Sequence, residues 1–113
     1  MAQHNNINTD LNIADLAWLL IAIRAAAADT DDIDEPLIQA RLATVLPNQP
    51  QANIAEQLSQ LQQLNILHQH NQYWQLSPDF SVQLIASTNC GCGYQAQWGL
   101  TKALLEHWIN NEN

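Results

Sequence analysis

Cys90, Gly91 and Cys92 set two thiols one residue apart, and His68 and His70 stand two apart in a segment of strand character. Thiolate and imidazole are donors that zinc takes, so Cys90, Cys92, His68 and His70 form the candidate metal set. The same cysteine pair has a redox reading as a strained, reducible disulfide. A helix starting just after it would favour the thiolate. The spacing is tighter than in the familiar zinc pairs. The plain alternative is two partly buried thiols at a glycine turn, with two solvated histidines. The expectation is no cofactor, with zinc or another metal as the candidate that these four residues would hold.

Asp29, Asp31, Asp32, Asp34 and Glu35 make a dense acidic stretch. As a calcium loop it fails, because Ile33 occupies a ligand position and no loop glycine or closing glutamate follows in register. Two readings remain, a solvated acidic start to the next helix and an acidic patch for a basic partner or a mimic of nucleic-acid charge. Asp31 and Asp32 are the candidate contact residues of the patch. No nucleophile motif, phosphate loop or carboxylate pair tied to a histidine is present, so enzymatic activity is not expected.

These groups sit in a chain of 113 residues with formal charge -8, whose only cationic side chains are Arg24, Arg41 and Lys102. That length suits one domain with a single core. Apolar residues make up 47% and charged residues 12%, so solubility falls largely to Asn and Gln. The amides alternate with Leu, Ile and Trp at helical spacing, which fits ordered helices better than a low-complexity tract. Met1 to Asn12 has neither a cationic start nor an apolar core, and Leu16 to Ala28 is too short to span a bilayer. The expectation is a cytoplasmic protein without membrane contact, and two cysteines without a disulfide framework agree with a reducing compartment.

The elements follow from periodicity. Residues 1–10 are read as a flexible N-terminus. Asp10 caps a helix over about 11–28, in which Trp18, Leu19, Leu20, Ile21 and Ile23 point in nearly every direction. A second chain or the C-terminal helix is its expected cover. Pro36 opens a second helix over 37–46, whose stripe is Ile38, Leu42, Val45 and Leu46. Arg41 borders that stripe, with its stem packed and its head in water. Pro47 ends the helix. A third helix covers 51–65 with Ile54, Leu58, Leu61 and Leu64 inward. Two short strands flank Asn71-Gln72, and Trp74 and Leu76 share the packed face. Ser77 caps a fourth helix begun by Pro78 and anchored by Phe80, Leu84 and Ile85. The Cys-Gly-Cys-Gly break separates it from a last helix over 94–110, which buries some of Trp98, Leu104, Leu105, Trp108 and Ile109. The tryptophans read as core, with one or two open to a dimer interface.

The run Ile54-Ala55-Glu56-Gln57-Leu58-Ser59-Gln60-Leu61-Gln62-Gln63-Leu64-Asn65-Ile66-Leu67, followed by Tyr73-Trp74-Gln75-Leu76-Ser77-Pro78, resembles the winged helix-turn-helix superfamily. Such proteins run a leucine-spaced helix into a hairpin closing on an aromatic and a Leu-Ser/Thr-Pro step. The resemblance covers roughly residues 11–78 and puts Ile33 where the short first strand of that family pairs. It implies a mainly α protein with a small β-hairpin, a winged-helix core over 11–78, and a C-terminal helical extension over 79–113 packed on it.

The charge departs from the DNA-binding members, which place the third helix in the major groove and the wing on phosphates. Neutralising phosphates with Lys and Arg supplies most non-specific affinity, yet no cation lies between Arg41 and Lys102. Gln57 and Gln60 could still bond adenine. The expectation is therefore a homodimeric adaptor, regulator or inhibitor working through protein contacts. Its partner-binding residues would be Asn53, Glu56, Gln57, Gln60 and Gln63 with Asp31 and Asp32. A DNA-binding regulator, disfavoured by charge, and a thiol or metal sensor are the alternatives.

Overall fold

A computed structural model describes residues 11–47, 54–89 and 91–112. The first helix, α1, spans Ile13–Ala27. Asn12 is extended, and its side-chain oxygen accepts the Asp15 N–H at 3.1 Å. That bond satisfies one of the first-turn donors that the helix cannot pair itself, and it fixes the start. Asn12 thus takes the capping role expected of Asp10, which lies outside the described residues.

Leu16, Leu19, Leu20, Ala22 and Ile23 of α1 are fully buried. The all-round apolar helix is therefore the centre of the fold. It packs against α2 (Glu35–Val45) and α5 (Tyr94–Glu112) of the same chain. Of the two covers expected, a second chain or the C-terminal helix, the C-terminal helix is the one found, and α2 joins it.

Asp34, not Pro36, sets the start of α2. Its carboxylate accepts the Leu37 N–H at 3.0 Å and Pro36 falls inside the first turn, so the helix begins two residues before the expected Leu37. The side chains of Ile38, Leu42 and Val45 are buried as their spacing predicts, and Leu46 is half-buried. The head of Arg41 bonds the Asp29 carboxylate at 2.7 Å at the exposed surface, a pairing the spacing did not predict.

The described part of the third helix, α3, is Ile54–Gln63, and residues 51–53 lie outside the description. Ile54, Leu58 and Leu61 face inward and are almost fully buried. The helix closes at Asn65, with φ of 64°. Asn65 N–H donates to Gln62 O at 3.0 Å and Ile66 N–H to Leu61 O at 3.0 Å. This is the bond pair of a left-handed helix end, which asparagine tolerates better than most residues.

Strands β1 (Leu67–His70) and β2 (Tyr73–Leu76) then pair antiparallel, with Leu67 opposite Leu76 and His70 opposite Tyr73. Asn71, at φ of 60°, makes the tight reversal. Trp74 turns inward and is buried, and Leu76 packs against the core from the same face. Trp74 N–H also donates to Ile33 O at 2.7 Å. The acidic loop is thereby held against β2 at Ile33, the residue expected to meet the hairpin.

Helix α4 spans Pro78–Thr88. Phe80, Leu84 and Thr88, four residues apart, face the body of the protein, while Ile85 is 44% exposed and does not anchor the helix as expected. Helix α5 joins the two ends of the fold. Trp98 Nε1 donates to Ala14 O at 3.0 Å, and its ring stacks on Trp18 with centroids 5.4 Å apart. Ten residues on, Trp108 Nε1 donates to Leu64 O at 2.8 Å, and its ring meets Phe80 edge-on at 5.2 Å. Both indoles thus bury an apolar body and satisfy their one donor. Among the described residues, no helix is long and apolar enough to cross a membrane.

Candidate partner-binding face

The outer surface of α3 is polar and nearly uncharged. Glu56 and Gln63 are exposed, Gln57 and Gln60 are half-buried, and Asn53 lies outside the described residues. Each glutamine offers two donors and an acceptor oxygen on a helix whose inner side is locked by Ile54, Leu58 and Leu61. Such a surface has hydrogen-bonding capacity to offer without positive charge.

The β-hairpin is tied to this helix through Ser77. Its N–H donates to Ile66 O at 2.7 Å, and its hydroxyl donates to Asn65 O. His68 Nε2 lies 3.0 Å from the same hydroxyl oxygen. With the hydroxyl proton directed at Asn65 O, the ring nitrogen must be the donor in the His68–Ser77 contact. That polarity is opposite to the one a histidine base needs toward a serine nucleophile. Ser77 therefore stands at the capping position of α4 without a side-chain capping bond, contrary to expectation. Sequence reasoning missed this pair. Its only signal is register, since His68 opposes Gln75 and Ser77 is the diagonal neighbour two residues on.

The three cations lie on other elements. Arg41 pairs with Asp29, and Lys102 Nζ sits 4.0 Å from the centroid of the Trp98 ring. The Nε of Arg24 is buried without a hydrogen-bond partner. These residues belong to α1, α2 and α5. The described parts of α3 and the wing carry no Lys or Arg.

Asp31 and Asp32 are exposed and face the wing, lining a cleft of about 160 Å³ with His70, Tyr73, Trp74 and Gln75. A second cavity, of about 310 Å³, opens between the start of α1 and the last turns of α5. Its walls are Leu11, Ile13, Glu106, Ile109 and Asn110.

The expected metal set is dispersed in what is described. His68 engages Ser77, and His70 lines the acidic cleft. Cys92 is half-buried and disulfide-bonded, and its carbonyl accepts the Gln97 amide at 3.1 Å. Cys90 lies outside the described residues. Gly91 has φ of +68°, where a side chain would be strained. Among the described residues, no three His, Cys, Asp or Glu side chains gather as a metal-binding group.

Compared with known proteins, the chain matches no family model, no curated protein and no solved structure.

Proposed function

We propose that this is a small acidic winged-helix protein acting through protein-protein contacts, as an adaptor, regulator or inhibitor. Its contact surface is the amide face of α3 together with the wing and the acidic loop. Three helices followed by a hairpin, with Ile33 O bonded to the edge of β2, support the winged-helix reading.

The observation that carries the choice of partner is the placement of the three cations. Arg24, Arg41 and Lys102 are shielded, paired or laid on a ring, and none belongs to α3 or the wing. A protein making about 6–10 phosphate contacts draws most of its DNA affinity from Lys and Arg at those contacts. An amide surface with Glu56 on it offers no equivalent. It does suit a protein partner, whose own backbone and polar side chains pair with amides.

Retention of binding proteins from a native lysate, compared between wild type and Gln57→Ala/Gln60→Ala, tests the reading. Alanine keeps the helix, so circular dichroism should be unchanged. The partner captured by wild type should be held about thirtyfold more weakly by the variant, from the loss of two contacts of roughly 1 kcal/mol each. Equal retention by both proteins would exclude the α3 face as the contact surface.

A further inference from the structure

We propose that the cleft between the acidic loop and the wing receives an arginine side chain of the partner protein. The inference rests on the protein-contact reading above and names the chemistry of one of its contacts.

The acidic loop divides its carboxylates into two groups. Asp29 is taken by Arg41 and Asp34 by the Leu37 N–H, so both serve the fold. Asp31 and Asp32 are exposed, and among the described residues neither makes an ion pair. They are also held in place. Asp32 N–H donates to Thr30 Oγ1 at 3.0 Å, and the next residue, Ile33, is fixed twice over. Its side chain is 3% exposed in the core, and its carbonyl accepts Trp74 N–H at 2.7 Å. A partner therefore meets two carboxylates carried on a loop whose backbone is anchored against the hairpin, which lowers the backbone ordering that would offset the contact.

The opposite wall selects the type of cation. Tyr73, Gln75, His70 and Trp74 complete the lining of the cleft, so aromatic, amide and imidazole side chains stand beside the two aspartates. A carboxylate pair beside an aromatic face matches a guanidinium, which donates two-pronged hydrogen bonds to carboxylates and stacks on rings. An ammonium uses the charge but not the planar fork. The size agrees. At about 160 Å³ the cleft is smaller than the roughly 300–1,000 Å³ usual for small-molecule sites, and it fits the head of one side chain. Asp31, Asp32 and His70 line the same space without forming a metal-binding group. The net charge of -8 adds long-range attraction for a basic segment.

The test uses the full chain and a fluorescein-labelled Gly/Ser peptide carrying arginines, with lysine and citrulline versions of the same peptide. Anisotropy should show saturable binding that weakens with salt, with arginine tightest and citrulline without effect. Amide shifts in NMR should centre on Asp31, Asp32, His70, Tyr73 and Gln75. Asp31→Asn/Asp32→Asn should weaken binding about tenfold, because two charge-assisted contacts are lost. Asp79→Asn/Glu106→Gln makes the same change in net charge at exposed sites elsewhere and should leave binding unchanged. Absence of saturable binding, or equal losses in the two double variants, would overturn the proposal. The test separates the two readings. Loss of peptide binding alone removes the cleft contact and leaves the α3 surface standing. Partner retention that is insensitive to Gln57→Ala/Gln60→Ala removes the α3 surface and leaves the cleft.

Discussion

Replacing Phe80 with alanine lowers the unfolding free energy by about 3–5 kcal/mol, the range for removing a fully buried aromatic ring. Phe80 is 0% exposed, sits in the first turn of α4 and meets the edge of Trp108 from α5. Truncation removes the transfer energy of the ring and leaves a cavity at the junction of two helices, which cannot close without moving Trp108. The same indole donates to Leu64 O, just past the end of α3. The damage therefore reaches the helix that carries the proposed contact surface. A domain of this size has about 5–15 kcal/mol of stability in all, so the variant loses a large fraction of it. Urea unfolding at unchanged slope measures the loss. Ile85→Ala on the same helix should cost no more than about 0.5 kcal/mol, because that side chain is already largely in water. Similar costs for the two variants would contradict the described packing of α4.

Trp98→Ala is expected to have the second largest effect, a loss of about 2–3 kcal/mol. The value falls below the core range because Trp98 is half-buried. Three contacts meet at this residue: the stack on Trp18, the bond to Ala14 O and the Lys102 ammonium over the ring. The first two fasten the first half of α5 to the first turns of α1, while the third lies within α5. Trp98→Phe separates them, since it keeps a ring and removes the donor, and it should cost about 1 kcal/mol. Near-ultraviolet circular dichroism provides an independent readout, because two indoles 5.4 Å apart and 12° from parallel should give a strong coupled signal. That signal should vanish in both variants. Its persistence would mean that Trp18 and Trp98 do not stack.

The elements were legible because periodicity reports which face of a segment is buried. Ile54, Leu58 and Leu61, or Ile38, Leu42 and Val45, are inward at the spacing that predicts them. The same rule was blind to what lies opposite each face. Nothing in Leu19, Leu20 and Ile23 distinguishes a second chain from α5 as their cover, and only the three-dimensional arrangement decides it. Helix starts were shifted for a local reason. Asn12 and Asp34 compete with nearby Asp10 and Pro36 for the first turn, and the residue whose side chain reaches an unpaired N–H prevails.

The candidate site was legible in composition more than in geometry. The amide surface and the two exposed aspartates are visible in the sequence. Their link to His70, Tyr73 and Gln75 depends on one backbone bond between residues 33 and 74, a separation no local pattern spans. Ser77 shows the same limit. A serine before a proline reads as a helix cap, yet its hydroxyl is used between Asn65 O and His68 Nε2.

The central claim is that the α3 and wing surface contacts protein rather than DNA. A fluorescence-anisotropy titration of the intact protein with pooled random-sequence duplex DNA, run from low to physiological salt, tests it most directly. No saturable binding is expected at any salt concentration, because no phosphate-neutralising cation stands on that surface. Tight, sequence-selective binding whose amide shifts fall on Gln57 and Gln60 would contradict it.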